Sequence, residues 1–458
     1  MVSYVFFAIV YCIFVIAVGS YYGRSSSSHL SDYYLADRGA KRWIGAFAAS
    51  ASSESAWVLM GLVGAAYTAG LSVLWLIPGC VLGYAFNWFV IAPRLHHLTD
   101  ESKAVTLAEA IGFRHNSAKL RLVLTLIIIV FITAYLSSQF LAIGRVVNST
   151  TSLTVPVGII AGAVFVLAYV GYGGMRASLV TDFLQAILMV GVLVLLPAYG
   201  VYRVMSDGLS FDVLPPEFMS LTGGKSGLAL IGLILGWAGI GLAYPGQPHV
   251  LQRHMTMRDD REIRFAGPIA ITWSALVFGG AILSGVVGRL LVENPADKEL
   301  VMLYLGQLTN SPAVGGIVIA AIFAAIASTA DSQLLALSAS IKNDIPHVRA
   351  SERIGPRMLT VALALLGAVI AGSQNTTIFA LVLFAWEFLG VTIGIAVIGT
   401  FIMQRSASAI MASMAVGAVM LLVWRNVEDL NGALYALVPA MVLAIVTLYA
   451  SKFVGQSK

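Results

Sequence analysis

Ser328, Thr329, Asp331 and Ser332 lie close together in a stretch, Ala325 to Gln333, whose surroundings are apolar enough to cross a bilayer. On a helical pitch Ser328, Asp331 and Ser332 share one face, with Thr329 beside them. Hydrocarbon penalises such groups by several kcal/mol unless they face protein, water or an ion. The stripe offers oxygen ligands only, which suit a hard cation such as sodium; no His or Cys is near enough to suggest a transition metal. Small polar residues also let membrane helices pack closely, so ion binding and close packing are both open at this point.

A second polar cluster, Ser50-Ala51-Ser52-Ser53-Glu54-Ser55, interrupts another apolar span. Its hydroxyls compete with the helical backbone for hydrogen bonds, which predicts a break there. In a third span Gly236, Gly239, Gly241, Pro245, Gly246 and Pro248 predict a break by a different route, through missing side chains and missing N–H donors. Glu387, in Phe384-Ala385-Trp386-Glu387-Phe388, is a further acid inside an apolar span. Intramembrane carboxylates are functional candidates by default.

The elements that must position these residues follow from composition. Of 458 residues, 59% are hydrophobic and 11% charged, against roughly 25% charged in an ordinary soluble domain. The chain is expected to be an all-α integral membrane protein with a single transmembrane domain over 1–458. About thirteen spans are expected, near 2–22, 43–66, 71–92, 120–146, 155–171, 178–203, 227–251, 266–290, 313–341, 358–372, 377–402, 407–424 and 433–451. The segment 2–22 lacks a basic leader and a small-residue cleavage motif, so it reads as a retained helix.

Of the 27 Lys and Arg residues, six (Arg145, Arg203, Lys225, Arg289, Lys298 and Arg425) fall on one side of this threading. The other side takes the rest, Lys458 included. Basic residues collect on the cytoplasmic side, which predicts an outside N-terminus and a cytoplasmic C-terminus in a cell membrane, in keeping with a bacterial inner membrane. The basic run from Arg253 to Arg264 reads as part of this bias and as a lipid headgroup contact. His249 reads as a solvated or capping group. Net charge of +5 does not imply nucleic acid binding in such a chain. Cys12 and Cys80 are too few for a disulfide framework.

Gly171-Tyr172-Gly173-Gly174 follows no strand and is no dinucleotide fingerprint. No nucleophile with a base, phosphate loop or cofactor motif is present, so an enzyme is not expected.

The two predicted breaks, in the second and seventh spans, are five helices apart. Interrupted spans at matching positions of two halves point to an inverted-repeat transporter with its site at the bilayer midplane. Residues 43–203 and 227–402 would be the repeats, with 1–22 and 407–451 peripheral.

The chain resembles the sodium/solute symporter family, most closely its sodium/proline branch. The resemblance spans nearly the whole chain. It rests on Ser55-Ala56-Trp57-Val58-Leu59-Met60-Gly61, Thr181-Asp182-Phe183-Leu184-Gln185-Ala186, Gly246-Gln247-Pro248-His249 and Ser328-Thr329-Ala330-Asp331-Ser332-Gln333, in order. It implies a LeuT-type five-plus-five inverted repeat with helices 2 and 7 broken, and a sodium ion held by the carbonyls of Ala51, Glu54 and Ala325 with the hydroxyls of Ser328 and Thr329.

Some members hold a further sodium, at positions matching Asp182, Ser328, Asp331 and Ser332. Asp331 stands where those members carry a hydroxyl. Two carboxylates there would bind a cation more strongly, or one would be protonated.

For substrate, the resemblance implies Tyr135 and Tyr244. Ser53, Ser55, Trp57, Trp237 and Gln247 are neighbouring candidates, and Ile240 occupies a position expected to be tryptophan. The branch has an aspartate aligned with Ser53, whereas this chain carries Glu54 one residue on. Glu54 and Glu387 would recognise a substrate cation, couple protons, or share a hydrogen bond as protonated acids.

The expected function is sodium-coupled import of a small amino acid or related solute, proline first. Membrane lipid and a small-molecule substrate are the expected partners, with no obligatory protein partner. A proton-coupled or cationic-substrate carrier is the alternative on the same fold. A sensory membrane module acting with a separate signalling partner is the alternative of another class.

Overall fold

The computed structural model describes residues 2–26 and 29–454. Lys458, counted above in the charge bias, lies outside them. Helix is the dominant element throughout. Among the described residues, nine helices are long and apolar enough to cross a membrane, and Pro356–Gly372 and Leu437–Phe453 are shorter apolar helices. Large apolar side chains stand exposed along the outside of the bundle, Leu228 being 86% exposed. Hydrocarbon would solvate that surface, whereas water would not.

Each expected span falls on observed helix. The spans 155–171 and 178–203 are two helices within Val155–Ser206 that meet at Gly174 (φ 55°, ψ −145°), inside the expected gap. Such a backbone is open to glycine and strained for other residues. A side chain there would also meet the Tyr33 carbonyl at 2.6 Å. The reversal is therefore made by one residue and not by a loop.

Both predicted breaks are present. The second helix runs Arg42–Ser53, stops at Glu54 (φ −94°, ψ 75°), and resumes as Trp57–Leu62 and Val63–Ala69. The seventh runs Gly227–Gly239, tightens over Ile240–Gly246 around Pro245, becomes extended at Gln247 (φ −93°, ψ 95°), and continues as Pro248–Met255. The proline at 245 has no N–H to give, and the glycines let the tightened segment pack backbone to backbone.

At Gly241 a Cβ would lie 1.9 Å from the Gly79 carbonyl oxygen. Because the obstruction is main chain, Gly241→Ala is expected to destabilise by at least the roughly 1–3 kcal/mol typical of overpacking. A melting temperature unchanged from wild type in detergent would contradict this packing.

The ninth helix, Pro312–Asp344, is buried along nearly its whole length at the centre of the bundle. Ser311 caps its start, accepting from Val314 N. At its other end Asp344 receives Arg121 at 2.8 Å and Thr106 at 2.9 Å. These bonds tie the ninth helix to the fourth (Ala118–Thr150) and to the short helix Leu107–Arg114. Nearby, Arg176 pairs with Asp32 and Asp37, and Arg42 with Glu262. Ion pairs thus close the pole where most basic residues gather.

The opposite pole is open. A cavity of about 620 Å³ enters between the connections carrying Glu217, Lys225 and Tyr435 and descends to Trp237, Ile240 and Phe379.

Candidate functional site

The break of the second helix lies against the ninth helix, as the polar stripe requires. Ser328 Oγ donates to the Ala51 carbonyl at 2.9 Å and lies 3.2 Å from that of Ala325. Thr329 Oγ1 is 3.0 Å from the Ser52 carbonyl and 3.4 Å from that of Ala51. All these residues are fully buried. Two hydroxyls from one helix therefore meet carbonyls freed by unwinding of another, and the set fits a small hard cation. The Glu54 N–H still bonds Ser50 at 3.0 Å, so the helix ends at Glu54 itself.

The four residues expected at a further ion site do not converge as a set. Ser328 is committed to Ala51, and Ser332 Oγ turns back to the Thr329 carbonyl at 2.8 Å. Asp182 and Asp331 do meet, carboxyl to carboxyl, with a guanidinium on both: Arg253 Nη2 lies 2.8 Å from Asp182 Oδ2 and 3.1 Å from Asp331 Oδ1. Arg253 is fully buried. The reading of Arg253 as a loop charge at the lipid headgroups is thus corrected. Pro248–Met255 re-enters the bundle, and only the residues from Arg258 onward remain on the surface side of that helix. His249 is likewise buried, with its ring edge-on to Tyr135 at 5.6 Å, and is not a solvated cap.

On the other side of the break, Ser55 Oγ and Tyr135 Oη are 3.1 Å apart, and the Trp57 indole donates to the Ser53 carbonyl at 3.0 Å. Tyr244 Oη donates to Glu54 Oε1 at 3.3 Å. Among the described residues Glu54 Oε2 and Ser53 Oγ make no close hydrogen bond, the Tyr84 hydroxyl stands beside both, and no salt bridge reaches Glu54. Tyr84 stacks obliquely on Tyr244, with centroids 4.7 Å apart. Gln247 Nε2 donates to the Ala243 carbonyl at 3.1 Å, and its Oε1 is unbonded. Asn87 donates to the Tyr244 carbonyl at 2.9 Å, which holds the tightened segment in place.

Trp386 is the residue that sequence reasoning missed here. Its indole donates to the Ile240 carbonyl at 3.0 Å, and its ring lies 5.2 Å from Tyr244 and 6.0 Å from Trp57. The eleventh helix thus brings an aromatic ring over the position where a tryptophan was expected in the seventh. Its place beside Glu387 in an apolar span was the available signal.

Trp237 faces the cavity, 6.4 Å from Phe379, which in turn lies 6.5 Å from Trp57. Trp57, Trp386 and Phe379 form an aromatic floor between the cavity and the break. Trp237 stands above that floor and not in the break. Glu387 is also turned away: its Oε2 pairs with Arg425 at 2.5 Å. Its partner is a cation of the twelfth helix (Ala407–Asn426) and not another acid.

The family model described as "Sodium:solute symporter family" matches residues 33–417. Sodium/proline symporters of Staphylococcus aureus strains JH9 and NCTC 8325 are 31% identical to this chain over 470 aligned residues, covering 96% of it and 90% of each relative. Among solved structures, a substrate-bound, outward-open Na+-coupled sialic acid symporter superposes with a TM-score of 0.76 at 16% identity, covering 98% of both chains. Mhp1, a nucleobase-cation-symport-1 family transporter in a closed conformation, superposes with a TM-score of 0.61 at 16% identity, covering 93% of this chain and 95% of that one.

Proposed function

Because the chain belongs to the sodium:solute symporter family, and so is a sodium-coupled secondary transporter and not an enzyme, we propose that it imports a small amino acid or related solute, with proline the first candidate. The observation that carries this reading is the meeting of Ala51 and Ser52 carbonyls with Ser328 and Thr329 hydroxyls. A sodium ion held there would join the second helix to the ninth and favour the form open toward the cavity. Coupling then follows from unequal sodium affinity in the two access states.

Substrate would sit beneath Trp57 and Trp386, against Tyr135, Tyr244 and the break. Aromatic faces suit a compact apolar ring, while Ser53, Ser55, Glu54 and Gln247 offer polar contacts. The printed names of the Staphylococcus relatives favour proline, and Ser55 with Tyr135 matches that choice. The distribution of basic residues favours an outside N-terminus in a bacterial inner membrane. A green fluorescent protein fused to the C-terminus should fluoresce, and a dark, fully expressed fusion would reverse that assignment.

Glu54 favours a second reading. A buried acid without a counterion suits a substrate cation or a transported proton. Proteoliposomes loaded with separate sodium and pH gradients separate the two. The first reading expects labelled proline to accumulate only with sodium outside. Accumulation driven by the pH gradient alone would select the second, and failure of proline beside uptake of another amino acid in a competition panel would change the substrate but not the coupling.

A further inference from the structure

Glu387 is a buried acid in the outer segment of the eleventh helix, Ile378–Leu389, and needs a counter-charge there. Both groups that meet it come from the peripheral hairpin. Arg425, at the end of the twelfth helix, pairs with its Oε2 and lies over the Phe384 ring one turn back, 5.1 Å from the centroid. The hydroxyl of Tyr435, just before the thirteenth helix (Leu437–Val454), stands beside the same carboxyl. The hairpin is itself closed, because the Trp424 indole donates to the Leu434 carbonyl at 2.9 Å. It also packs on the seventh helix: a Cβ at Gly239 would lie 2.4 Å from Val438 Cγ2 and 3.5 Å from Tyr435 Cδ1.

Trp386 precedes Glu387, so the two side chains leave the same turn about 100° apart. The indole bonds Ile240, while the carboxyl bonds Arg425 on another side. Just beyond, Gly390–Gly394 widens into a π turn, the kind of place where a helix bends. The outer segment therefore needs fixing from the side. Ring faces hold part of it, as where Phe388 stacks on Phe131 at 4.5 Å, and ring faces can slide. A charge pair cannot slide without parting in apolar surroundings.

We propose that the Glu387–Arg425 pair, with the Tyr435 hydroxyl beside it, positions the Trp386 ring over the solute site, which makes Arg425 and Tyr435 determinants of solute affinity. The inference rests on the reading of Trp386 as the roof of that site. Arg425 and Tyr435 act through Trp386 and are positioning residues.

Uptake of labelled L-proline by the full-length protein in proteoliposomes tests this. Fluorine NMR spectra of protein made with a fluorotryptophan accompany it, the Trp386 resonance being the one lost in Trp386→Phe. Glu387→Met with Arg425→Met removes the pair without leaving either charge alone, so the fold is expected to survive. KM should rise about three- to tenfold, the range for a lost aromatic contact, with the maximal rate changed by less than about twofold. The Trp386 resonance should move or broaden. Tyr435→Phe keeps the ring, loses one hydroxyl, and should act in the same direction by about two- to threefold. In a Trp386→Phe background neither replacement should raise KM further, because both work through one ring.

An unchanged KM or an unmoved Trp386 resonance in the folded paired variant would overturn the proposal. So would a rise in KM that persists in full without Trp386. If the paired variant does not fold, Tyr435→Phe decides on the same two readouts. No proline uptake by wild type, or a KM unmoved by Trp386→Phe alone, would instead remove the reading of the solute site, and the resonance would still decide whether the pair fixes the ring.

Discussion

Ser328→Ala and Thr329→Ala are each expected to raise the sodium concentration for half-maximal uptake by roughly 10- to 100-fold, from the loss of one oxygen contact to a charged group worth about 1.5–3 kcal/mol. Both hydroxyls also hydrogen-bond the break, to Ala51 at 2.9 Å and Ser52 at 3.0 Å. A purely structural role would therefore lower the melting temperature equally in sodium and in choline buffers. An ion ligand has a different signature, because sodium at concentration c, bound to the folded state, stabilises it by RT ln(1 + c/Kd). The variants should lose the sodium-dependent part of the melting temperature at concentrations that saturate wild type. The two positions are adjacent and share the Ala51 carbonyl, so the double variant should fall short of the sum of the singles. Unchanged sodium dependence in both single variants would end the assignment of this site.

Glu54→Gln is expected to reduce uptake by about 100-fold or more while leaving the melting temperature unchanged or higher. The two halves of that expectation come from one observation. Glu54 is fully buried, Tyr244 lies at 3.3 Å with Tyr84 also beside it, and among the described residues no salt bridge reaches it. An amide of the same shape cannot ionise, so the cost of keeping an acid buried without a counter-charge is removed and folding does not lose. Transport loses the group that meets a substrate cation or carries a proton. The reverse result, full uptake with a fall in stability, would make Glu54 a scaffold residue and leave proline recognition to the aromatic rings and hydroxyls. Counterflow distinguishes the remaining pair: a proton-coupling acid permits solute exchange in the Gln variant, whereas a substrate-contacting acid does not.

What the sequence revealed of this site, and what it hid, depends on how local each signal was. The breaks were legible because Ser50 to Ser55 and Gly236 to Pro248 act on their own backbone, and those segments do depart from regular helix. The oxygen stripe at Ser328 and Thr329 was legible for the same reason, as hydroxyls on an apolar helix must face something. Arg253 was not. Five residues after Pro248 and five before Arg258, it looks like the first member of a surface run, and only the re-entry of Pro248–Met255 takes it inside. Glu387 was misread in the opposite direction. Its acidity stood out in the eleventh helix, but its counterion, Arg425, lies across a helix–helix contact that no local pattern announces. Trp386 escaped because an indole in an apolar span is ordinary until its N–H is seen on the Ile240 carbonyl. The corner at Gly174 was legible too, because it falls in the gap between the expected spans 155–171 and 178–203.

Ser52 faces two neighbourhoods at once. Its carbonyl receives Thr329 and its hydroxyl receives Arg253. One residue is thus a shared wall between the proposed sodium site and the charge fixed within. Reciprocity requires that whatever sodium does to the grip on Arg253, that grip does to sodium. At the proposed sodium site the tightness of capture would then be adjustable from the far side of the wall, by residues such as Met175 and Ser178 that also hold Arg253 and lie outside the proposed ligand set.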